Sequence, residues 1–390
     1  MIRNLPGGCL TVDGHSSIRE GQCQAWPLVE TGIASNNQQN PGRRCSGAQW
    51  YTGHVTKARL LNRCRAAARA GREQLRRFLR PRGELKVLFP SDGDFIAALR
   101  GDLPDLEGVR SAAGAGDLRR ARDLLLAYFR RRAKPRFFVD PADMRPLATR
   151  LASEHPEWRF AAIRSQADWQ HYVYMVDETS RRVDDIPDWN NLPLGPGRDT
   201  VYVHKAHHFL FAVQLARAEA YGAHTRTMLK RLIDSWIAAT EGKTNSPGYS
   251  SPLVAVHRAV ALTWAWAFLA GGEETDPQLE LTMLRVILAD ARFVYVRLGT
   301  STPNNHLLAD GFLLFYLGLL FPELREAEQW RRYGEALFLR ELRRQIYEDG
   351  TSVEHSVHYH EVVCEMVSAI VILARRNGIE LGSWVGERHR

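Results

Sequence analysis

Two stretches of this chain concentrate residue types that can move protons. "EDGTSVEHSVHYHEVVCEM" (348–366) brings His355, His358, His360 and Tyr359 together with Glu354, Glu361 and Glu365. "STPNNHLLADGFLLFYLGLLFPE" (301–323) sets Asn304, Asn305 and His306 directly ahead of a strongly apolar run. The first stretch admits three readings: a metal site, an acid–base site, or a core rich in imidazole. A zinc site needs three or four converging ligands, and HExxH and its relatives are absent, so no metal and no cofactor is expected. An Asn before an apolar helix can cap it, and Pro303 stiffens the approach. Capping accounts for one asparagine but not for a second followed at once by His306.

Two further segments add similar groups. "YSSPLVAVHRAVALTWAW" (249–266) supplies His257 and Arg258, and "VYVHKAHHFLFAVQLARAEAYG" (201–222) supplies His204, Lys205, His207 and His208. Arg258 suits a substrate carboxylate or a structural one equally well. Imidazole and basic groups therefore recur near the beginnings of successive helices, which an α/α toroid would bring to one end.

The elements that must position these groups are helical. Periodicity predicts helices near 203–221, 223–241, 252–270, 277–298, 305–320, 326–347 and 355–376, joined by short loops. Helix 305–320 is apolar nearly all round and should be an inner helix; 326–347 has a mixed charged face and should be an outer one. In the last helix Thr351 or Ser352 is the expected cap with Glu354 completing a capping box. Val357, Cys364, Val367 and Val371 would then form its apolar stripe, with Cys364 a buried small hydrophobe. The fold class expected is all-α, built of antiparallel hairpins that either close into an incomplete α/α toroid or continue as an open solenoid, which periodicity alone does not separate. Residues 1–55, rich in polar and turn-forming types, read as a disordered or leader segment. Residues 56–114 read as a basic helix (57–80) and a connecting segment, with "KVLFP" (86–90) a short strand or buried extended piece. Residues 115–390 read as the toroid domain, entered through an aromatic, turn-rich region at 137–200.

Composition is globular, with 45% hydrophobic and 25% charged residues. The longest unbroken apolar run, 312–321, is well short of the ~20 residues that cross a bilayer, so no membrane span is expected. The five cysteines show no paired spacing. A net charge of +8 favours polyanionic partners. Much of the excess lies in the arginine runs at 63–86 and 117–137, which read first as solvated helix faces. A nucleic-acid-binding helical protein is the weakest alternative they leave, because no nucleic-acid motif accompanies them. A glycoside hydrolase would need a carboxylate pair, for which Glu354 and Asp310 are the candidates.

Taken together, "SSPLVAVHRAVALTWAW", "NNHLLADGFLLFYLGLLFPE" and "EDGTSVEHSVHYHEVV" resemble the heparinase II/III-like polysaccharide lyases, in their N-terminal α/α-toroid domain, over roughly 115–376. The resemblance implies β-elimination on a uronic-acid polysaccharide of heparin, heparan or alginate type. It implies Asn305 and His306 at the substrate carboxylate and Tyr359 as base, acid or both. Arg258, His257, His208, Glu354, His355, His360 and Asn304 would line the substrate. It also implies a C-terminal β-sandwich, expected to be missing after Arg390, and a periplasmic or secreted setting, although the N-terminus carries no visible signal peptide. The alternative is a non-catalytic α/α domain that grips acidic glycans.

Overall fold

The computed structural model describes residues 86, 88–157, 159, 174–176, 179–181, 186–192, 200–272 and 275–388. The basic helix expected at 57–80 and the segment 1–55 lie outside them, as does the arginine run up to residue 85.

The fold is all-α. Short helices α1 (Asp92–Ala97) and α2 (Glu107–Gly114) lead into α3 (Leu118–Arg131) and α4 (Pro141–Glu154). A two-stranded antiparallel hairpin, β1 (Tyr174–Val176) and β2 (Thr179–Arg181), is the only sheet among the described residues. Then come α5 (Val201–Ala206), α6 (Leu210–Ala220), α7 (Arg226–Thr240), α8 (Pro252–Ala270) and α9 (Pro277–Val296). They are followed by α10 (Asn305–Leu320), α11 (Ala327–Gln345), α12 (Val357–Arg376) and α13 (Ser383–Arg388). Hairpins α8/α9 and α10/α11 pack side by side through α8, α9 and α10, as an α/α toroid requires.

Helix α10 is the inner helix its composition demands: every residue but His306 is buried. Its outer partner α11 carries the ion pairs Arg331–Glu328 and Arg332–Glu328 on its solvent side. The two helices cross at backbone contact. A Cβ on Gly334 would lie 2.1 Å from the Phe315 nitrogen, and one on Gly318 2.5 Å from the Arg331 nitrogen. Only glycine permits that approach.

Several expectations are corrected here. Within residues 92–114 lie α1, a 3-10 turn at Pro104–Leu106 and α2, which bury Phe95, Ile96, Leu106 and Val109 in the common core. The turn-rich region contains α4, which accommodates Pro146 inside it. Residues 88–90 form no strand; Phe89 is inserted edge-on against Trp236 at 5.4 Å. The helix expected at 203–221 is broken at His207–Phe209, where Phe209 takes a left-handed conformation, φ 60°. Helix α12 begins at Val357, two residues after the expected start, with Ser356 as its cap in place of Thr351 or Ser352. The Asp349 carboxylate turns the chain by accepting from the Thr351 N–H and hydroxyl, and Ile346 bridges Ser352. These contacts use the segment that a capping box at Thr351 or Ser352 would have needed. The buried stripe of α12 is accordingly Val363, Met366, Val367, Ile370, Val371 and Ala374, while Val357 and Cys364 are exposed. On membranes, α8 and α12 are long and apolar enough by composition to cross a bilayer, but α8 is 72% buried within the protein.

Of the seven arginines in the 117–137 run, Arg119, Arg120, Arg131 and Arg136 are exposed and three are committed internally. Arg122 donates to Gln278, Arg130 pairs with buried Glu280 at 2.5 Å, and Arg132 pairs with buried Glu323 at 2.6 Å.

Candidate functional site

Four helix beginnings supply the site. Asn304 is the N-cap of α10: its Oδ1 accepts from the His306 N–H at 3.1 Å. The second asparagine has another task. Asn305 is buried, and its backbone N–H and Nδ2 both donate to Glu354, at 2.9 Å to Oε1, with Nδ2 also 2.9 Å from Oε2. Glu354 stands in the loop before α12, so it joins the start of α10 to the approach of α12. It is a bridging residue and not part of a helical face with His358 and Glu361.

His208 lies in the break before α6, and its ring stacks on His257 of α8 at 4.3 Å between centroids. Burial pushes the His257 imidazole down to about 4, with the charge of nearby His306 acting in the same direction. Burial also holds His208 well below the usual imidazole range, helped by His257. His306, half-buried, is lowered by desolvation and partly restored by Glu354. At neutral pH these three imidazoles are uncharged, so each can accept a proton or donate a hydrogen bond. Charge repulsion couples His208 to His257 and His257 to His306, and Glu354 links His306 to Asn305. The structure thus brings together His208, His257, His306, Asn305 and Glu354.

Arg258 is not with them at the surface. It is fully buried, with Nη2 2.6 Å from Asp290 Oδ1 and Nε 3.1 Å from Oδ2. Nη1 donates to the carbonyls of His207 (3.2 Å) and Gly248 (2.8 Å), and the guanidinium lies between the Trp236 and Tyr249 rings. The structural carboxylate is therefore the partner, and no donor is presented to a glycan. Nη1, outside the ion pair, thus gives the His207 carbonyl at the helix break a donor, next to His208 on the chain. His207 is buried as well. The indole of Trp236 donates to its Nδ1 at 2.8 Å, which puts the proton on Nε2, and burial pushes its pKa down to about 3.

Tyr359 sits in the first turn of α12, 44% exposed, its N–H directed to Ser356 Oγ and its ring 5.6 Å from His358. His355 occupies the loop with φ 50°, its ring 6.2 Å from Tyr347, and so does not share a helical face with Tyr359. His360 faces Cys364, Nε2 to Sγ 3.5 Å. Among the described residues no group of three or more His, Cys, Asp or Glu side chains is arranged to hold a metal ion.

Sequence reasoning did not find Asp290, the partner that fixes Arg258, or Gln345. The latter is buried in the last turn of α11 and donates from Nε2 to the Asn304 carbonyl at 2.8 Å. Neither carries a local signal, because each is recognised only through a partner distant in sequence.

A family model for the heparinase II/III N-terminus matches residues 95–382. A heparin-sulfate lyase of Bacteroides stercoris is 35% identical over 81 residues, 20% of this chain and 12% of that protein. One from Pedobacter heparinus is 22% identical over 283 residues, 70% of this chain and 41% of its own. Among solved structures, a heparan sulfate lyase of Pedobacter heparinus matches with a TM-score of 0.57 at 17% identity, over 76% of this chain and 46% of that one. A heparinase III matches with a TM-score of 0.58 at 18% identity, over 76% and 48%. The structural likeness is one of fold, and this chain spans less than half the length of these relatives.

Proposed function

The chain belongs to the heparinase II/III N-terminus family, and from that membership we propose that it is the helical part of a polysaccharide lyase that cleaves a uronic-acid polymer by β-elimination. The observation that carries the proposal is the junction of Asn305, His306 and Glu354 at the head of α10, with His257 and His208 beside it.

The chemistry sets three demands. The C5 proton of a uronate lies α to a carboxylate, and it becomes acidic only when that carboxylate's charge is offset as the enolate-like intermediate forms. A base must remove the proton, and an acid must protonate the departing glycosidic oxygen. Asn305 and His306 are assigned to the carboxylate: one brings an amide N–H, the other a neutral imidazole able to donate. Tyr359 is assigned the proton transfers. It stands half-exposed five residues along the chain from Glu354, which is bonded to Asn305. His208 and His257 are assigned to the sugar beside the reacting one, and His355 and His360 to the rim. The net charge of +8 suits an acidic polymer of heparin, heparan or alginate type.

The test is ultraviolet absorbance of the unsaturated uronate during incubation with heparin, heparan sulfate and alginate. Absorbance should rise on at least one polymer and stay flat with Tyr359→Phe. A folded protein that binds a polyuronate but yields no unsaturated product would instead support a glycan-binding domain.

A further inference from the structure

The carboxylate of Glu354 meets Asn305 in a way that determines how the amide is turned. An ionised carboxylate only accepts hydrogen bonds, so the amide nitrogen, and not its oxygen, must face Glu354. Both carboxylate oxygens lie 2.9 Å from that nitrogen. They are bonded to one carbon and subtend a much narrower angle at Nδ2 than its two N–H bonds do. One N–H is therefore shared between them, and the second has no partner among the described residues.

Glu354 is itself held before any ligand arrives. Its N–H donates to Ser352 Oγ at 3.3 Å, and the Val353 N–H donates to the Gln345 carbonyl at 2.9 Å. The side chain of the same Gln345 donates to the Asn304 carbonyl at 2.8 Å. Loop and helix start are thus tied at adjacent residues, Gln345 to Asn304 and Glu354 to Asn305. The left-handed His355 then leads the chain on toward α12.

We propose that Glu354 is a positioning residue: it acts through Asn305, fixing its amide with one N–H free for the substrate carboxylate, and does not itself touch the glycan. This rests on the lyase reading above for what the free N–H binds, but the orientation itself does not. A carboxylate placed in direct contact with a uronate would repel it, whereas behind the amide it fixes which way the remaining N–H is turned. Fixing the donor in advance removes the cost of turning it during the reaction.

The experiment uses the full chain with labelled asparagine, the Asn305 side-chain signals being identified by their loss in Asn305→Ala. In the wild type the two Nδ2 protons should be widely separated in chemical shift, one bonded to a carboxylate. In the isosteric Glu354→Gln that separation should collapse while the far-ultraviolet circular dichroism is kept. Turnover should fall roughly ten- to a hundredfold, as for a lost hydrogen bond to a charged group, with KM within about threefold. In the Asn305→Ala background, Glu354→Gln should cost no more than about twofold. Unchanged amide shifts would overturn the proposal. So would a raised KM at unchanged kcat, the signature of a direct glycan contact. If the wild type cleaves no uronate polymer, the lyase reading fails alone, and the amide shifts still decide the positioning role.

Discussion

Replacing Asp310 by asparagine should remove a pH-dependent penalty from the folded state. Asp310 lies in α10, one turn beyond His306, fully buried. Ser301 is near it, but neither carboxylate oxygen makes a hydrogen bond of ordinary geometry. Burial raises its pKa to about 7, with Ser301 opposing weakly. In the unfolded chain it titrates near ~3.9. Between those values the native state holds a proton that the unfolded state has released, so stability falls as pH rises, by ~1.4 kcal/mol per unit. From pH 4 to pH 8 the wild type should lose ~4 kcal/mol through this one group. The amide in the Asp310→Asn variant has no such proton to lose. Its own packing cost shifts the whole curve by a constant, and every other titrating group contributes equally to both proteins. The decisive quantity is therefore the difference between the two proteins, followed against pH. Urea unfolding by circular dichroism at half-unit steps should show it growing in the variant's favour up to about pH 7 and levelling above. A difference constant across that range would mean that Asp310 is ionised and solvated in the native protein, and the reasoning would fail.

Four other outcomes follow from the same structure. Acidification should act oppositely through His207, whose folded pKa of about 3 lies below its unfolded value. The unfolded state takes up the proton first, so between pH 6.5 and 5 this group alone should remove ~2 kcal/mol, read most clearly in the Asp310→Asn background. Arg258→Leu should destabilise by roughly 3–5 kcal/mol by leaving Asp290 buried and unpaired, and the double change with Asp290→Leu should recover much of that in thermal unfolding. Gly334→Ala should cost about 3 kcal/mol or more, because the added carbon meets the backbone of Phe315, Leu314 and Gly311, none of which can move as a side chain would. Gln345→Leu offers no such obstruction and should leave the α10/α11 crossing intact.

The interiors of the long helices were legible because burial imposes a period on them. The stretches 252–270 and 305–320 are continuous apolar patterns, and α8 and α10 occupy those spans. Legibility stopped where a long-range contact overrides the local pattern. Nothing in "VHKAHHFLFAV" announces a break, since every residue there tolerates a helix. At the break Arg258, fifty-one residues later, takes the His207 carbonyl, a partner no local pattern reveals. In "EDGTSVEHSVHYH", Thr351 and Ser352 are as good a cap as Ser356. The choice is made by the bridge between Ile346 and Ser352 and by Glu354 reaching Asn305. Cys364 fell on the wrong side of α12 for a related reason: two apolar stripes were available, and the one with more large aliphatic groups turned inward.

That pattern bears on the site itself. A helix start leaves backbone N–H groups unpaired, so residues placed there are held by contacts that would otherwise be spent inside the helix. In this chain the starts of α6, α8, α10 and the approach to α12 carry His208, His257, Asn305 with His306, and Glu354. Their neighbours at the same ends, Arg258 and Gln345, are committed to backbone carbonyls, those of His207 and Asn304. Arg258 and Gln345 thus fix the backbone beside these groups without themselves exchanging a proton at neutral pH. On the proposed lyase reading, burial keeps these three imidazoles uncharged, so they are not themselves fixed cations that would bind ground state and transition state alike. A donor that strengthens only as charge develops on the uronate contributes to rate, whereas uniform binding contributes to affinity alone.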